Sequence, residues 1–200
     1  MEIFGPKPLE WMTEKLIGRD GVFFNDWNAR IQAPAAQNYH VNEGGTLPRP
    51  EPNYEVHDIE SGFIKETKNW RITTAKVVHA QPWLESIAYR IETKKGTIVL
   101  GGDTGFDPNL TKFAEGADVL VAMCWDHQDV MDSNGENIGV LGTKNVAKIA
   151  KQAGIKKLIL THTGSWALKP GSRERAIGDI AKIYNGKIIF ADELMNIELW

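Results

Sequence analysis

The sequence predicts an α/β fold built as a single domain over residues 1–200. Its second half alternates strand-like runs with segments of helical spacing, which is typical of βαβ units. Residues 118–123 form a largely apolar run, the pattern of a strand buried on both faces. A chain of 200 residues that is 42% hydrophobic and 24% charged is expected to fold around one sizeable core.

The N-terminal part is predicted to begin with a strand and a helix. Glu2-Ile3-Phe4 is strand-like, and Gly5-Pro6 is a turn. Apolar residues at helical spacing from Leu9 to Ile17 predict a helix that Gly18 ends. Because a buried-type strand seldom opens a fold, we expect strands from an earlier segment to pair with it. The domain is therefore predicted to be incomplete at its N-terminus.

Residues 25–54 differ in composition from the rest of the chain. They have few aliphatic residues and contain the Gly44-Gly45 pair and the prolines Pro34, Pro48, Pro50 and Pro52. An extended loop or arm is therefore predicted here. Alternation returns at Tyr54, and Ser61-Gly62 predicts a hairpin turn between the strands on either side.

Strands and helices are then predicted in a regular order. Asp107-Pro108 predicts a helix start, since aspartate caps a first turn and proline fits the first helical position. Thr143 is predicted to cap a second helix, and Ser172 to open the last one. The predicted strands around these helices are 70–78, 86–91, 97–100, 118–123, 157–161, 188–190 and 195–199.

Composition bounds the partners and the compartment. A formal net charge of −3 gives no general attraction for nucleic acid or an anionic membrane. No apolar run approaches the roughly 20 residues that span a bilayer. The single cysteine, Cys124, leaves no internal disulfide and suits a reducing compartment. We expect a cytoplasmic protein with neither a nucleic acid nor a membrane as its partner.

A histidine or an aspartate follows each of three predicted strands. They are His79, Asp103, which lies in a glycine-rich turn, and His162. Imidazole nitrogens and carboxylate oxygens are ligands that Zn²⁺ prefers, and strands hold their ends rigidly enough for coordination. We predict that the three side chains converge as metal ligands. Taken singly, Asp103 is equally explained as a turn-capping aspartate, and a lone histidine at a strand end is more often a hydrogen-bonded structural residue than a ligand.

Polar residues beside these positions are candidates for the wall of a substrate pocket. The polar candidates are Thr104, Asp126, His127 and Ser165, and the apolar ones are Trp83, Trp125 and Trp166. Sequence alone assigns no catalytic residue among them.

Two other functions of the same segments stay open. Gly101-Gly102-Asp103-Thr104-Gly105 could cradle a phosphate, although it matches neither common glycine-rich phosphate motif. Cys124 and His127 could form a nucleophilic pair, for which the alternative is a buried structural thiol.

In these residues the chain resembles the metallo-β-lactamase-fold hydrolases, in particular the branch with ribonuclease Z and arylsulfatase-like enzymes. The similar segments are Ile3–Lys7, His79 followed by 86–91, Gly102-Asp103-Thr104, and Thr161-His162. The resemblance implies an αββα sandwich and one or two Zn²⁺ ions in an intact relative. It also implies an aspartate at 103 that bridges the metals and a metal-activated water that attacks the substrate.

The chain also departs from that family. The His-x-His-x-Asp-His motif occurs nowhere in the 200 residues and is expected upstream of residue 1. Where ribonuclease Z has His-Glu-Ala-Thr and His-Ser-Thr, this chain has 123–126 and 141–143. The segment 25–54 contains Arg30 and Arg49 and no lysine, so no basic arm for tRNA phosphates is expected.

The sequence therefore favours a metal-dependent hydrolase that acts on a small-molecule carboxylic, sulfate or phosphate ester or a lactone, impaired as this chain alone. One alternative is a non-catalytic remnant or interaction module, completed by a partner chain or by self-association into a homo-oligomer such as a dimer, because missing strands would leave an open sheet edge. Further alternatives are a ribonuclease Z-type tRNA endonuclease and a nucleotide-binding α/β protein that uses the glycine turn.

Overall fold

A computed structural model describes residues 1–199 as an α/β structure with seven α-helices, nine strands and one short 3₁₀ helix. The described chain divides into two compact units, Met1–Ile59 and the residues from Glu60 onward. The single domain over residues 1–200 stays a prediction. None of the helices in residues 1–199 is both long and apolar enough to cross a membrane.

The N-terminal unit pairs two short strands in parallel. Its elements are β1 (Glu2–Gly5), α1 (Leu9–Ile17), α2 (Phe24–Gln32), α3 (Pro34–Asn42) and β2 (Glu55–Asp58). Across the pair, Glu2 lies opposite Glu55 and Phe4 lies opposite His57. The predicted first strand and first helix are confirmed, including the end of α1 before Gly18.

The prediction of an extended segment at 25–54 is wrong for residues 25–32, which lie in α2, and for residues 34–42, which form α3. Pro34 is the first residue of α3, where the missing N–H and the fixed φ suit a helix start. A proline that favours an extended loop in the sequence analysis therefore starts a helix in the structure. Trp27 anchors α2, since its Nε1 donates to the carbonyl of Ile17 at 3.0 Å. Residues 43–54 contain neither helix nor strand.

The larger unit is built on a mixed seven-stranded sheet in the order β3-β4-β5-β6-β7-β8-β9. Its strands are β3 (Ile64–Glu66), β4 (Trp70–Lys76), β5 (Ile87–Thr93), β6 (Thr97–Leu100), β7 (Val119–Met123), β8 (Lys157–Thr161) and β9 (Lys187–Phe190). Neighbours from β3 to β6 are antiparallel, and neighbours from β6 to β9 are parallel. Since β4 is two antiparallel steps from β6, the C-terminal ends of β4, β6, β7 and β8 lie at the same edge.

The hairpin predicted across Ser61-Gly62 is wrong in its pairing. The backbone does turn there: Gly62 has a φ of +87°, and the Phe63 N–H donates a hydrogen bond to the Glu60 carbonyl at 3.2 Å. β2 nevertheless pairs with β1, and β3 pairs with β4. An alternating pattern identifies a strand without specifying the strand that it pairs with.

Helix starts agree with the sequence at two of three places. Asp107 caps α4 (Pro108–Ala114) by accepting the Asn109 N–H at 2.8 Å, and α7 (Ser172–Ala181) starts at Ser172. The predicted cap Thr143 is instead the first residue of α6 (Thr143–Gln152). Its hydroxyl accepts the Gln128 N–H at 3.1 Å, which ties α6 to α5 (Gln128–Asn134), a helix that the sequence did not predict.

The strand predicted at 195–199 is also wrong, since no strand follows β9 in the described chain. The backbone turns after Asp192, where the Met195 N–H donates to the Asp192 carbonyl at 3.2 Å. Leu194 takes a left-handed φ of +60° in this turn and is 94% exposed.

The core of the larger unit lies between the sheet and helices α4, α6 and α7. Leu120 of β7 and Leu158 of β8 are fully buried, together with Leu110, Ile149 and Ile180 of the helices. β7 is buried over most of its length, which confirms the strand predicted from the apolar run at 118–123.

We expect Leu120→Ala to lower the free energy of unfolding by about 2–5 kcal/mol, because it removes fully buried methyl groups and leaves a cavity. Urea denaturation of both proteins measures the difference. Leu194→Ala is the matched control and should change stability by less than about 0.5 kcal/mol, because that side chain is 94% exposed. If the two variants lost the same free energy of unfolding, Leu120 would not be part of the core.

Candidate functional site

The predicted metal ligands follow strands that end at one edge of the sheet. His79 follows β4, Asp103 follows β6 and His162 comes directly after β8. Because these strands run in the same direction, their C-terminal loops lie on the same side of the larger unit. The topology therefore delivers all three residues to this edge.

Asp103 and His162 lie close together. The Nε2 of His162 is 3.7 Å from Oδ2 of Asp103, and their side chains are 54% and 45% exposed. Two ligand atoms bound to one tetrahedral Zn²⁺, each at about 2.0–2.2 Å, are about 3.4 Å apart. The pair is thus near the spacing for a shared cation, and solvent can reach both groups.

His79 is held by a backbone carbonyl. Its Nδ1 lies 2.7 Å from the carbonyl oxygen of Gly139. With Nδ1 as the donor, Nε2 keeps its lone pair, which is the arrangement of histidines that bind metals through Nε2. A backbone carbonyl as the partner fits a metal-binding role for this ring.

Two glycines let the loops around His79 approach each other. Gly139 has a φ of +82°, and a Cβ there would collide with the carbonyl of His79. A Cβ on Gly105 would lie 2.8 Å from the nitrogen of Gly139. The Gly105 N–H donates to the Val78 carbonyl at 2.7 Å. Sequence reasoning missed Gly139, since one glycine in a polar loop gives no sign of which residue it approaches.

The structure brings two of the three predicted ligands together and leaves the convergence of the third a prediction. In residues 1–199, His79, Asp103 and His162 do not form a group whose ligand atoms all lie within 4.8 Å of one another.

A group in the described chain that meets this distance is Glu2, Glu55 and His57 of the N-terminal unit. Glu2 and Glu55 face each other across the β1–β2 pair, and the His57 ring stacks on Phe4 at 4.7 Å. Nothing in the sequence indicates this group, because it depends on the register of two strands whose facing residues, Glu2 and Glu55, lie 53 positions apart. It is a second place where a metal could bind.

His162 has a strained backbone. Its φ of +47° lies in the left-handed region, which costs a residue with a side chain of this kind about 1–3 kcal/mol. Its ring lies 5.7 Å from the ring of Trp125. The surrounding loops thus hold this imidazole in a conformation that the backbone alone disfavours.

Two of the four polar pocket candidates line one cavity. Asp126 and His127 form part of the wall of a cavity of about 450 Å³, together with Trp166. Ser165 is exposed at the start of the 3₁₀ helix Ser165–Leu168, and its role stays a prediction. Thr104 is fully buried and its hydroxyl donates to the Gly105 carbonyl at 3.1 Å, so this environment does not support a contact with a substrate, and its predicted role stays a prediction.

The three tryptophans differ in environment. Trp166 is 7% exposed and packs on the His127 ring at 4.7 Å. Trp125 is 37% exposed, and its carbonyl accepts hydrogen bonds from Trp166 Nε1 and, at 3.0 Å, from the Gly164 N–H. Trp83 is 84% exposed. Trp166 lines the cavity beside His127, and the role of the three tryptophans in a substrate pocket stays a prediction.

His127 is the buried titratable group of this region. Burial lowers its pKa below the ordinary value, and the positive charge of Arg175 lowers it further. Asp126, Asp129 and Asp179 oppose this shift. The balance favours a neutral ring at neutral pH.

Cys124 does not form a nucleophilic pair with His127. The thiol is fully buried, and burial, with a smaller effect of Asp126, raises its pKa to about 12. A thiol nucleophile must ionise near neutral pH, so this geometry excludes the pair. The structural role is the one that the surroundings support.

We expect the Cys124 thiol of the native chain to resist 5,5′-dithiobis(2-nitrobenzoate), because it is buried and protonated at neutral pH. The same protein in 6 M guanidinium should release one equivalent of the coloured thiolate. Rapid reaction of the native protein would show that the thiol is accessible and ionised.

The lowered pKa of His127 also gives stability a pH dependence. As pH falls through about 6.5, the unfolded chain binds a proton at this residue before the folded chain does, so the free energy of unfolding should fall. Compared with His127→Gln in urea denaturation, the wild-type advantage should be smaller at pH 5.5 than at pH 7.5. An advantage that grows on acidification would mean that the folded protein favours the charged ring.

Comparison with known proteins agrees with this fold. Residues 24–163 match the family model described as a beta-lactamase superfamily domain. Ribonuclease Z of Mycobacterium bovis is 27% identical over 166 residues, which are 80% of this chain and 58% of that protein. This chain therefore spans little more than half the length of that relative.

Solved structures show the same fold. The metallo-beta-lactamase fold protein YhfI from Bacillus subtilis superposes with a TM-score of 0.59 at 23% identity, over 70% of this chain and 54% of that one. Human tRNase Z, short form, superposes with a TM-score of 0.57 at 17% identity, over 99% of this chain and 67% of that one. The family model covers most of the chain and these structures share its architecture, so this protein belongs to the beta-lactamase superfamily and has the metallo-β-lactamase fold.

Proposed function

We propose that the chain is part of a metal-dependent hydrolase that acts on an ester-like substrate, namely a carboxylic, sulfate or phosphate ester or a lactone. The observation that carries the proposal is the 3.7 Å separation of the Asp103 carboxylate and the His162 imidazole at the C-terminal edge of the sheet. The metal dependence of the superfamily supports it.

Three residues of this chain would hold the metal, for which Zn²⁺ is the proposed ion. They are His79, Asp103 and His162, whose nitrogen and oxygen donors suit that ion. When bound, the ion would polarise the substrate oxygen and lower the pKa of a water molecule.

Each side chain has a definite part in this arrangement. The Asp103 carboxylate offsets cationic charge at a half-exposed position. The Gly139 carbonyl fixes the tautomer of His79. The Trp125 ring covers one side of the His162 imidazole. In the proposed arrangement these contacts would orient the three donors toward a solvent-accessible place that an ester can reach.

A tRNA endonuclease is the second candidate, because relatives of this chain bear the names ribonuclease Z and tRNase Z. The cations of residues 25–54 do not support it. Arg30 is engaged by Asp26 at 2.9 Å, and Arg49 donates to the Arg30 carbonyl at 3.2 Å. We therefore favour the small ester. A non-catalytic module that is completed by a partner chain stays the third possibility.

Compartment and assembly remain predictions. We propose a cytoplasmic protein that self-associates, for example as a dimer. Sedimentation of the purified chain that gives only a monomer at all concentrations would contradict the self-association.

Zinc titration of the purified chain tests the metal site. Asp103→Asn and His162→Gln should each weaken Zn²⁺ binding at least about tenfold, because each removes one of few ligands. Glu55→Gln is the control, since it removes a carboxylate of the other candidate group and should leave this binding unchanged. Loss of zinc with Glu55→Gln alone would move the metal to the N-terminal unit and remove the proposal's basis.

Hydrolysis assays of the zinc-loaded chain test the reaction. We expect turnover of 4-nitrophenyl acetate or bis(4-nitrophenyl) phosphate that Asp103→Asn reduces in kcat/KM by at least about 100-fold, as for the loss of a metal ligand. Cleavage of precursor tRNA with no ester turnover would favour the endonuclease. No turnover of any of these substrates would favour the non-catalytic module.

A further inference from the structure

The cavity beside His127 has the features of an anion site. It measures about 450 Å³, and the residues of its wall that matter here are Asp126, His127, Trp166, Lys169, Ser172 and Arg175. The cavity lies among the loops that follow β7 and β8, the strands whose ends also carry the candidate metal centre. Its volume is in the range of small-molecule sites.

A buried polar group forms part of the wall. His127 is 4% exposed, and its Nδ1 has no hydrogen-bond partner in residues 1–199. The nearest carboxylate oxygen that pairs with it, Oδ2 of Asp179, is 3.9 Å away, which is too long for a hydrogen bond. A buried polar atom left unpaired is unfavourable, and a bound ligand or solvent molecule is one way to pair it.

The cavity wall carries two cations and one carboxylate, while the carboxylates Asp126, Asp129 and Asp179 act on the His127 ring. Lys169 and Arg175 both line the cavity, and Lys169 forms no ion pair within the described residues. Arg175 is held in place by Asp129 at 2.7 Å and Asp179 at 3.8 Å. Asp126 is the carboxylate of the wall, and its Oδ1 already accepts the His127 N–H at 2.6 Å.

The N-terminus of α7 adds to the positive field. Ser172 is the first residue of this ten-residue helix, and both Gly171 and Ser172 line the cavity. No side chain caps the helix, and Gly171 has a φ of +78°. Uncapped N–H groups and the helix dipole favour a negatively charged ligand. The helix end and Lys169, unpaired within the described residues, thus favour a negatively charged ligand, and Arg175 adds positive charge to the same wall although two carboxylates engage it.

The cavity and the metal-ligand edge are joined by direct contacts. Trp166 packs on His127 at 4.7 Å and donates through Nε1 to the Trp125 carbonyl. Trp125 in turn faces the ring of His162 at 5.7 Å. Contacts through Trp125 and Trp166 therefore link the wall of the cavity to the ring of His162.

We propose that this cavity binds a phosphate group, and that the substrate carries this group away from the bond that is hydrolysed. The second half of the proposal rests on the proposed function, whereas phosphate binding does not require the metal. Lys169 and Ser172 would donate to the phosphate oxygens, with Arg175 and the helix end supplying positive charge. His127 would donate from its ring.

Calorimetric titration of metal-free chain with inorganic phosphate in the presence of EDTA tests the binding. We expect saturable binding that Lys169→Gln and Ser172→Ala each weaken, Lys169→Gln by about tenfold because it removes a charged donor. Lys187→Gln is the matched control, since it removes the same charge from an exposed position on β9 and should leave the affinity unchanged. No binding, or binding that all three variants leave intact, would overturn the proposal.

A pair of esters tests the substrate. The 4-nitrophenyl esters of propionate and of 3-phosphopropionate differ only in the phosphate. For the zinc-loaded chain, Lys169→Gln should raise KM for the phosphorylated ester about tenfold with kcat unchanged, and should not affect the neutral ester. Free phosphate should inhibit only the phosphorylated ester.

The phosphate titration and the ester comparison can give negative results independently of each other. Equal effects of Lys169→Gln on both esters would overturn the assignment of the phosphate to the substrate. Phosphate binding through Lys169 in a chain that hydrolyses neither ester would support the phosphate site and reject the hydrolase, leaving free phosphate or another phosphorylated molecule as the ligand.

Discussion

The shared direction of β4, β6, β7 and β8 is the constraint on which the candidate site depends. Each strand carries one polar loop to the same edge, so residues that lie 83 positions apart in sequence, as His79 and His162 do, arrive on one side of the sheet. The buried leucines of β7 and β8 fix these strands against the helices. The packing of the core therefore determines where the side chains of the candidate site lie.

Much of the larger unit could be predicted from sequence because its patterns are local. β7 shows its burial as a continuous apolar run, and α4 shows its start in Asp107-Pro108, where cap and proline are adjacent. The errors occur where local signals have two meanings. A proline can start a helix or break one, and Pro34 starts α3. The alternating pattern around Gly62 predicts strands but does not specify which strands pair.

The site was predictable in part for the same reason. Asp103 and His162 stand immediately after strand-like runs, so their position at a sheet edge follows from the pattern. The burial of Thr104 and His127, the approach of Gly139 to His79 and the wall of the cavity could not be predicted, since each depends on loops packing against one another. The facing pair of Glu2 and Glu55 likewise depends on strand register.

At His162, the left-handed backbone conformation lowers the stability of the fold, while the imidazole side chain is needed for the proposed metal site. Glycine or asparagine adopts that conformation at lower energy than histidine, so a chain selected for thermal endurance alone would discard the imidazole. Engineering for robustness should therefore leave this residue untouched: the substitution that relaxes the main chain most is also the one that takes away a donor at the sheet edge.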